Sequence, residues 1–104
     1  MPVASSVRFA AAARRLAAVC AGRGLVVPAF RSPPRPPGAD RTLRRRPDGG
    51  VVVAVRLRGR PFAAIAADMV EGTLRANSVG GPDVEAHRAA LLAAALDDDE
   101  SRTA

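Results

Sequence analysis

The stretch Arg41-Thr42-Leu43-Arg44-Arg45-Arg46-Pro47-Asp48-Gly49-Gly50-Val51-Val52-Val53-Ala54-Val55-Arg56-Leu57-Arg58 decides the fold. Two runs suited to extended chain flank Pro47-Asp48-Gly49-Gly50, where Pro presets φ for a turn and Gly accepts a positive φ. This spacing predicts a hairpin with strands over 41–46 and 51–58. Side chains alternate along a strand, so Val51, Val53, Val55 and Leu57 share one face, and Val52, Ala54, Arg56 and Arg58 share the other. With Leu43 set against the same core as Val53 and Val55, Thr42, Arg44 and Arg46 fall on the far side beside Arg56 and Arg58. Arg44, Arg46, Arg56 and Arg58 then crowd one face of a ribbon.

Like charges facing each other across a ribbon repel, so such a face either stands in water or meets an anion. The guanidinium fork pairs bidentately with phosphate, which makes these four residues the candidate nucleic-acid-binding set. The plainer reading is the wet face of an antiparallel sheet in a chain whose basic residues are all Arg. No aromatic residue falls on that face, so the base stacking used by single-strand binders is not expected.

Downstream, Gly59-Arg60-Pro61 turns the chain into a helix with Pro61 expected at its first position. Phe62, Ile65, Ala66, Met69, Val70 and Thr73 form its apolar stripe, and Asp68, Glu71 and Arg75 its polar side, with Glu71 and Arg75 spaced for an i,i+4 pair. Gly72 marks either a close approach to the sheet or a break. Asn77-Ser78-Val79-Gly80-Gly81-Pro82 ends this helix, and Asp83 opens another in which Val84, Leu91, Leu92, Ala95 and Leu96 line one face. His87, at the flank of that stripe and far from any nucleophile or second ligand, reads as structural.

Upstream, Ser5 or Ser6 is expected to cap a helix that runs to about Ala21 and stops at Gly22. Phe9, Ala12, Ala13, Leu16, Val19 and Cys20 fall on its inner face, and Arg8, Arg14 and Arg15 on a solvated side. Leu25 to Phe30 reads as a strand in which Pro28 fits an edge or a bulge. Residues 31–40 form a Pro-rich loop. Within it Arg31, Pro34 and Pro37 match the R-x-x-P-x-x-P spacing that fills polyproline-binding grooves, and a plain linker is the simpler reading.

The expected fold class is therefore α+β in the order α-β-β-β-α-α, with the helices packed on one face of a small antiparallel sheet. In order, the first five elements resemble the double-stranded-RNA-binding domain. The resemblance is one of topology. Where that family carries a basic run at the start of its last helix, this chain has Arg60-Pro61-Phe62-Ala63-Ala64, with one charge. The organisation expected is a disordered N-terminus over 1–6, one small domain over 7–96, and an acidic disordered tail over 97–104.

A chain of 104 residues allows one small domain and excludes a two-domain enzyme with a deep cleft. Ala and Arg dominate, and both have GC-rich codons, so part of the Arg content reflects codon usage. Charge is divided along the chain: residues 1–60 carry net +11 and residues 61–104 net −5. This implies a basic surface for a polyanion, or a basic half neutralised by the acidic half of its own or a neighbouring chain.

The single Cys20 excludes an intrachain disulfide, and with the single His87 it excludes a closed zinc site of Cys and His ligands. The sequence contains none of G-x-S-x-G, the Walker A loop, G-x-G-x-x-G or H-E-x-x-H. The expectation is a non-catalytic protein with no cofactor and no metal. No stretch approaches the ~20 apolar residues of a membrane-spanning helix. Residues 1–39 hold six Arg and no acid, which fits a mitochondrial presequence, but the same composition continues through 41–67. A cytoplasmic, bacterial-type protein is the first expectation and the presequence the alternative. The function expected is binding of nucleic-acid backbone through the four Arg residues. The alternative is a protein-interaction or regulatory module with a protein partner or a second copy, engaged through a strand edge, the Pro-rich segment or the third helix.

Overall fold

The computed structural model describes residues 5–32 and 43–97. Its elements are α1 (Ser5–Gly22), β1 (Ala29–Arg31), β2 (Leu43–Arg45), β3 (Val51–Ala54), α2 (Phe62–Ala76) and α3 (Asp83–Leu96). The chain is thus α+β. Residues 33–42, which hold most of the Pro-rich loop and both prolines of the R-x-x-P-x-x-P spacing, lie outside the described residues, as do 1–4 and 98–104.

The hairpin is built by its turn. Arg46 donates its amide to the Gly50 carbonyl at 2.8 Å and accepts the Gly49 amide at 3.0 Å, while the Asp48 carboxylate takes the Gly50 amide at 2.8 Å. Gly49 has φ +90°, so this is a three-residue loop that ends on a left-handed glycine. It sets an antiparallel register of Leu43 opposite Val53, Arg44 opposite Val52 and Arg45 opposite Val51.

The sheet as a whole is mixed, which corrects the expectation of an antiparallel one. β3 is central in the order β1-β3-β2, and β1 runs parallel to it with Phe30 opposite Val53 and Arg31 opposite Ala54. The likeness to the double-stranded-RNA-binding domain therefore ends at the order of elements. The cause lies in the strands. β3 is the most apolar of the three, with Val51, Val53 and Val55 buried, and takes the centre, where both of its edges are paired. The tight turn gives one edge to β2, so β1 must take the other. No tight turn joins β1 to β2, and the long connection between them does not force the two to be neighbours.

β1 is also shorter and later than expected. It starts at Ala29, after Pro28, and reaches Arg31, while Leu25 to Val27 are not strand. The Asn77 side chain fastens this lead-in: its Oδ1 accepts the Val26 amide at 2.6 Å, and its Nδ2 donates to the Val26 carbonyl at 3.1 Å. One amide side chain thus does for Val26 what a strand partner would do.

All the helices stack from the inner face of the sheet. Phe9 of α1 meets Phe30 of β1 edge-on, with ring centroids 6.4 Å apart. Gly72 of α2 lies against Val53, and a Cβ built at that glycine would stand 2.5 Å from Val53 Cγ1. Of the two roles open to Gly72, close approach is the one observed. α3 packs on α1 and α2, with Leu91 and Ala95 fully buried among Leu16, Cys20, Ile65 and Met69.

Some helix ends differ from expectation by a residue or two. α1 starts at Ser5, so residues 5 and 6 belong to the helix and not to a tail. Its last residue is Gly22, as expected, and the turn that closes it runs through Arg23 and Gly24. Leu25 donates to the Cys20 carbonyl at 2.9 Å, and Gly24, at φ +73°, is the left-handed residue of that closing turn. Pro61 stands just before α2, extended at φ −68° and ψ 151°, and not inside its first turn.

Candidate nucleic-acid interface

The sheet has one face against α1 and α2, and that face holds Phe30, Leu43, Val51, Val53 and Val55. The other face carries Ala29 and Arg31 from β1, Arg44 from β2, and Val52 and Ala54 from β3. No described helix covers it. Ala29, Arg31 and Arg44 are exposed, and Val52 and Ala54 are half-buried beneath their neighbours.

Of the four sequence-derived candidates, the sheet holds two on this open face. Arg44 sits there in β2. Arg56, two residues past the end of β3, is exposed on the same side: Val55 donates its amide to the Arg31 carbonyl at 2.7 Å, and the alternation that buries Val55 turns Arg56 outward. Arg46 lies at the mouth of the turn, where Asp48 takes its guanidinium at 3.3 Å. Arg58 stands in the turn that leads to α2, beyond the end of β3, so the ribbon does not bring it to the others.

One residue of this face escaped the sequence reading. In the sequence Arg31 falls at the start of the Pro-rich loop, one residue past the strand expected over 25–30. The signal was present in the alternation Ala29-Phe30-Arg31, since an inward Phe30 requires an outward Arg31. With the register known, the Cα atoms of Arg31 and Arg44 are two strand spacings and two residues apart, about 12 Å, and Arg56 lies about 8 Å from Arg31.

Several other arginines are engaged within the molecule, whereas Arg14, Arg45 and Arg58 are exposed. Arg8 lies over the Phe62 ring, 4.1 Å from its centroid. Arg15 donates to the Ala94 and Ala95 carbonyls at 2.8 and 3.0 Å. Both carbonyls lie in the last turn of α3, where the Ala94 oxygen also accepts the Asp97 amide at 3.3 Å, so Arg15 helps to close α3 and does not belong to a solvated side. Arg60 pairs with Asp68 at 2.7 Å and donates to the Arg56 carbonyl at 3.1 Å. Arg88 holds the Glu71 carboxylate through two nitrogens at 2.6 and 3.0 Å and also pairs with Glu85. That bidentate contact holds the Glu71 carboxyl below the usual carboxylate range, with a smaller contribution from the Arg75 charge. Of these ion pairs, Arg60 with Asp68 joins the basic and acidic halves of the chain. Arg31, Arg44 and Arg56 have no carboxylate partner among the described residues.

The other chemically reactive side chains are accounted for structurally. His87 Nδ1 accepts the Arg23 Nε proton at 2.9 Å, which ties the end of α1 to α3. Cys20 is fully buried, and burial pushes its thiol pKa up, away from the reactive thiolate. Among the described residues no group of three or more His, Cys, Asp and Glu could hold a metal ion, and no helix is long and apolar enough to cross a membrane.

Fold and site together define a small α+β chain with a three-stranded mixed sheet, of which one face is covered by none of the described helices and carries Arg31 of β1 and Arg44 of β2, with Arg56 just past the end of β3. Compared with protein-family models, curated proteins and solved structures, the chain has no match.

Proposed function

We propose that this protein binds the phosphate backbone of nucleic acid on the open face of its sheet, through Arg31, Arg44 and Arg56. The observation that supports the reading is placement: Arg31, Arg44 and Arg56 are exposed on the same side of the sheet, with no acidic residue among the described residues of that face. Three like charges on one side of a small sheet repel, and an anion laid across them reverses the sign of that interaction. Apart from the arginines, which are assigned to phosphate, the described part of the face is Ala29, Val52 and Ala54 and has no side chain that bonds a base edge, so the binding is independent of sequence. Arg46 and Arg58, at the rim, add long-range attraction without a fixed contact.

The test is an anisotropy titration of a labelled oligonucleotide over a range of salt. For three phosphate contacts on duplex DNA, log K falls against log salt with a slope of about −2.7, or about 40-fold between 50 and 200 mM. Replacing Arg31, Arg44 and Arg56 together by Ala abolishes that dependence, and Arg14→Ala, on the exposed side of α1, leaves it unchanged. Wild-type affinity in the triple variant would end the proposal.

A protein-interaction module is the second reading. It draws on the edge position of β1 and on Val26 and Val27 beside it, which are 50% and 43% exposed. Recovery of a stoichiometric protein partner from nuclease-treated lysate supports it.

A further inference from the structure

The open face has a shape as well as a charge, and on the reading just given the shape selects among nucleic acids. We infer that the ligand is a double strand, held by phosphates of its two backbones on either side of a groove. Arg31 and Arg44 stand on opposite outer strands, about 12 Å apart at Cα, with Ala29, Val52 and Ala54 between them. That floor is made of small aliphatic side chains, with no ring, hydroxyl or amide to stack on or bond to a base. Proteins that hold single strands do so by stacking successive bases on aromatic side chains. The chain has three aromatic residues, all Phe. Phe9 and Phe30 pack on each other in the interior and Phe62 lies under Arg8, so none reaches this face.

A duplex needs no such platform. The two walls of the major groove of B-form DNA stand about 12 Å apart, which is of the same order as the Cα separation of the two outer arginines, and their long side chains can adjust to it. Arg56, about 8 Å from Arg31 at Cα, reaches a further phosphate along one wall. A single strand would have to be ordered before it could place phosphates at all three positions, whereas a duplex arrives with them placed. The low floor between the arginines leaves room for a convex backbone and offers nothing to a splayed base.

The experiment compares a fluorescein-labelled DNA duplex of 20 base pairs with each of its two strands, by anisotropy with the full chain at 50 mM salt. Expected is duplex binding about tenfold tighter than either strand. Arg31→Gln and Arg44→Gln each flatten the duplex salt slope by about one. Both substitutions are at exposed positions, and circular dichroism checks that the fold is retained. Equal affinity for duplex and single strand would overturn this inference and leave the phosphate-binding reading standing. Failure to bind either would overturn both, and a tighter complex with the single strands would also refute the duplex assignment.

Discussion

At the scale of single residues, the structure assigns work to side chains that a helical wheel treats as surface. Arg15 satisfies two terminal carbonyls of α3 from a neighbouring helix, so Arg15→Ala removes two charge-assisted hydrogen bonds and the docking they provide. The expected loss is about 1.5 kcal/mol of unfolding free energy by urea titration. Arg14→Ala, one residue away and exposed, serves as its control. Gly72 is subject to two opposing effects. Alanine would favour the helix by about 1 kcal/mol, but its Cβ would stand 2.5 Å from Val53 Cγ1. A buried collision between two elements outweighs that gain, so Gly72→Ala lowers stability by about 1–2 kcal/mol, measured in the same titration.

At the scale of elements, the turn after α2 repeats the closure of α1 with a different residue. Val79 donates to the Leu74 carbonyl at 3.1 Å and Ser78 to the Arg75 carbonyl at 3.1 Å, which places Ser78 where Gly24 stands after α1. Ser78 adopts φ 53°, the left-handed region that costs a residue with a Cβ. Ser78→Gly therefore raises the thermal midpoint and adds about 1 kcal/mol of stability. The contact between α2 and α3 has a pH signature. The Glu71 carboxyl is held below its ordinary value of 4.5, chiefly by its bond to Arg88. A carboxyl whose pKa is lower in the folded state contributes stability above its unfolded value, and that contribution is lost as pH falls through the folded one. Wild type should thus lose more of its thermal midpoint between pH 6 and pH 3 than Glu71→Gln does. Parallel curves for the two would contradict the pairing.

The hairpin and the helices were legible because their signals are local: a Pro-Asp-Gly-Gly turn, period-two valines and periodic apolar stripes. What the sequence did not show depends on distant parts of the chain. The i,i+4 spacing of Glu71 and Arg75 suggested a pair within α2, yet Arg88 of α3 takes the carboxylate because it approaches with both nitrogens. Likewise Arg31 reads as the start of a Pro-rich loop until β1 is seen beside β3. Half of the candidate set, Arg44 and Arg56, followed from alternation alone. Arg46 and Arg58 did not, because the turn and the end of β3 cut the ribbon short at both of its ends.

At the scale of the whole molecule, the excess of positive charge is distributed by role. Arg8, Arg15, Arg23, Arg60 and Arg88 join elements, and Asp68, Glu71 and Glu85 neutralise some of them. Arg31, Arg44 and Arg56 remain together on the one sheet face that no described helix covers. The central claim is that this face is where nucleic acid lies, and amide chemical-shift mapping addresses it most directly. A 15N-labelled sample titrated with duplex DNA should show its largest shifts at residues 29–31, 44–45 and 52–56, with α3 silent. Shifts centred on α3 or on the outer side of α1, or no shifts at concentrations that saturate the anisotropy, would contradict the account.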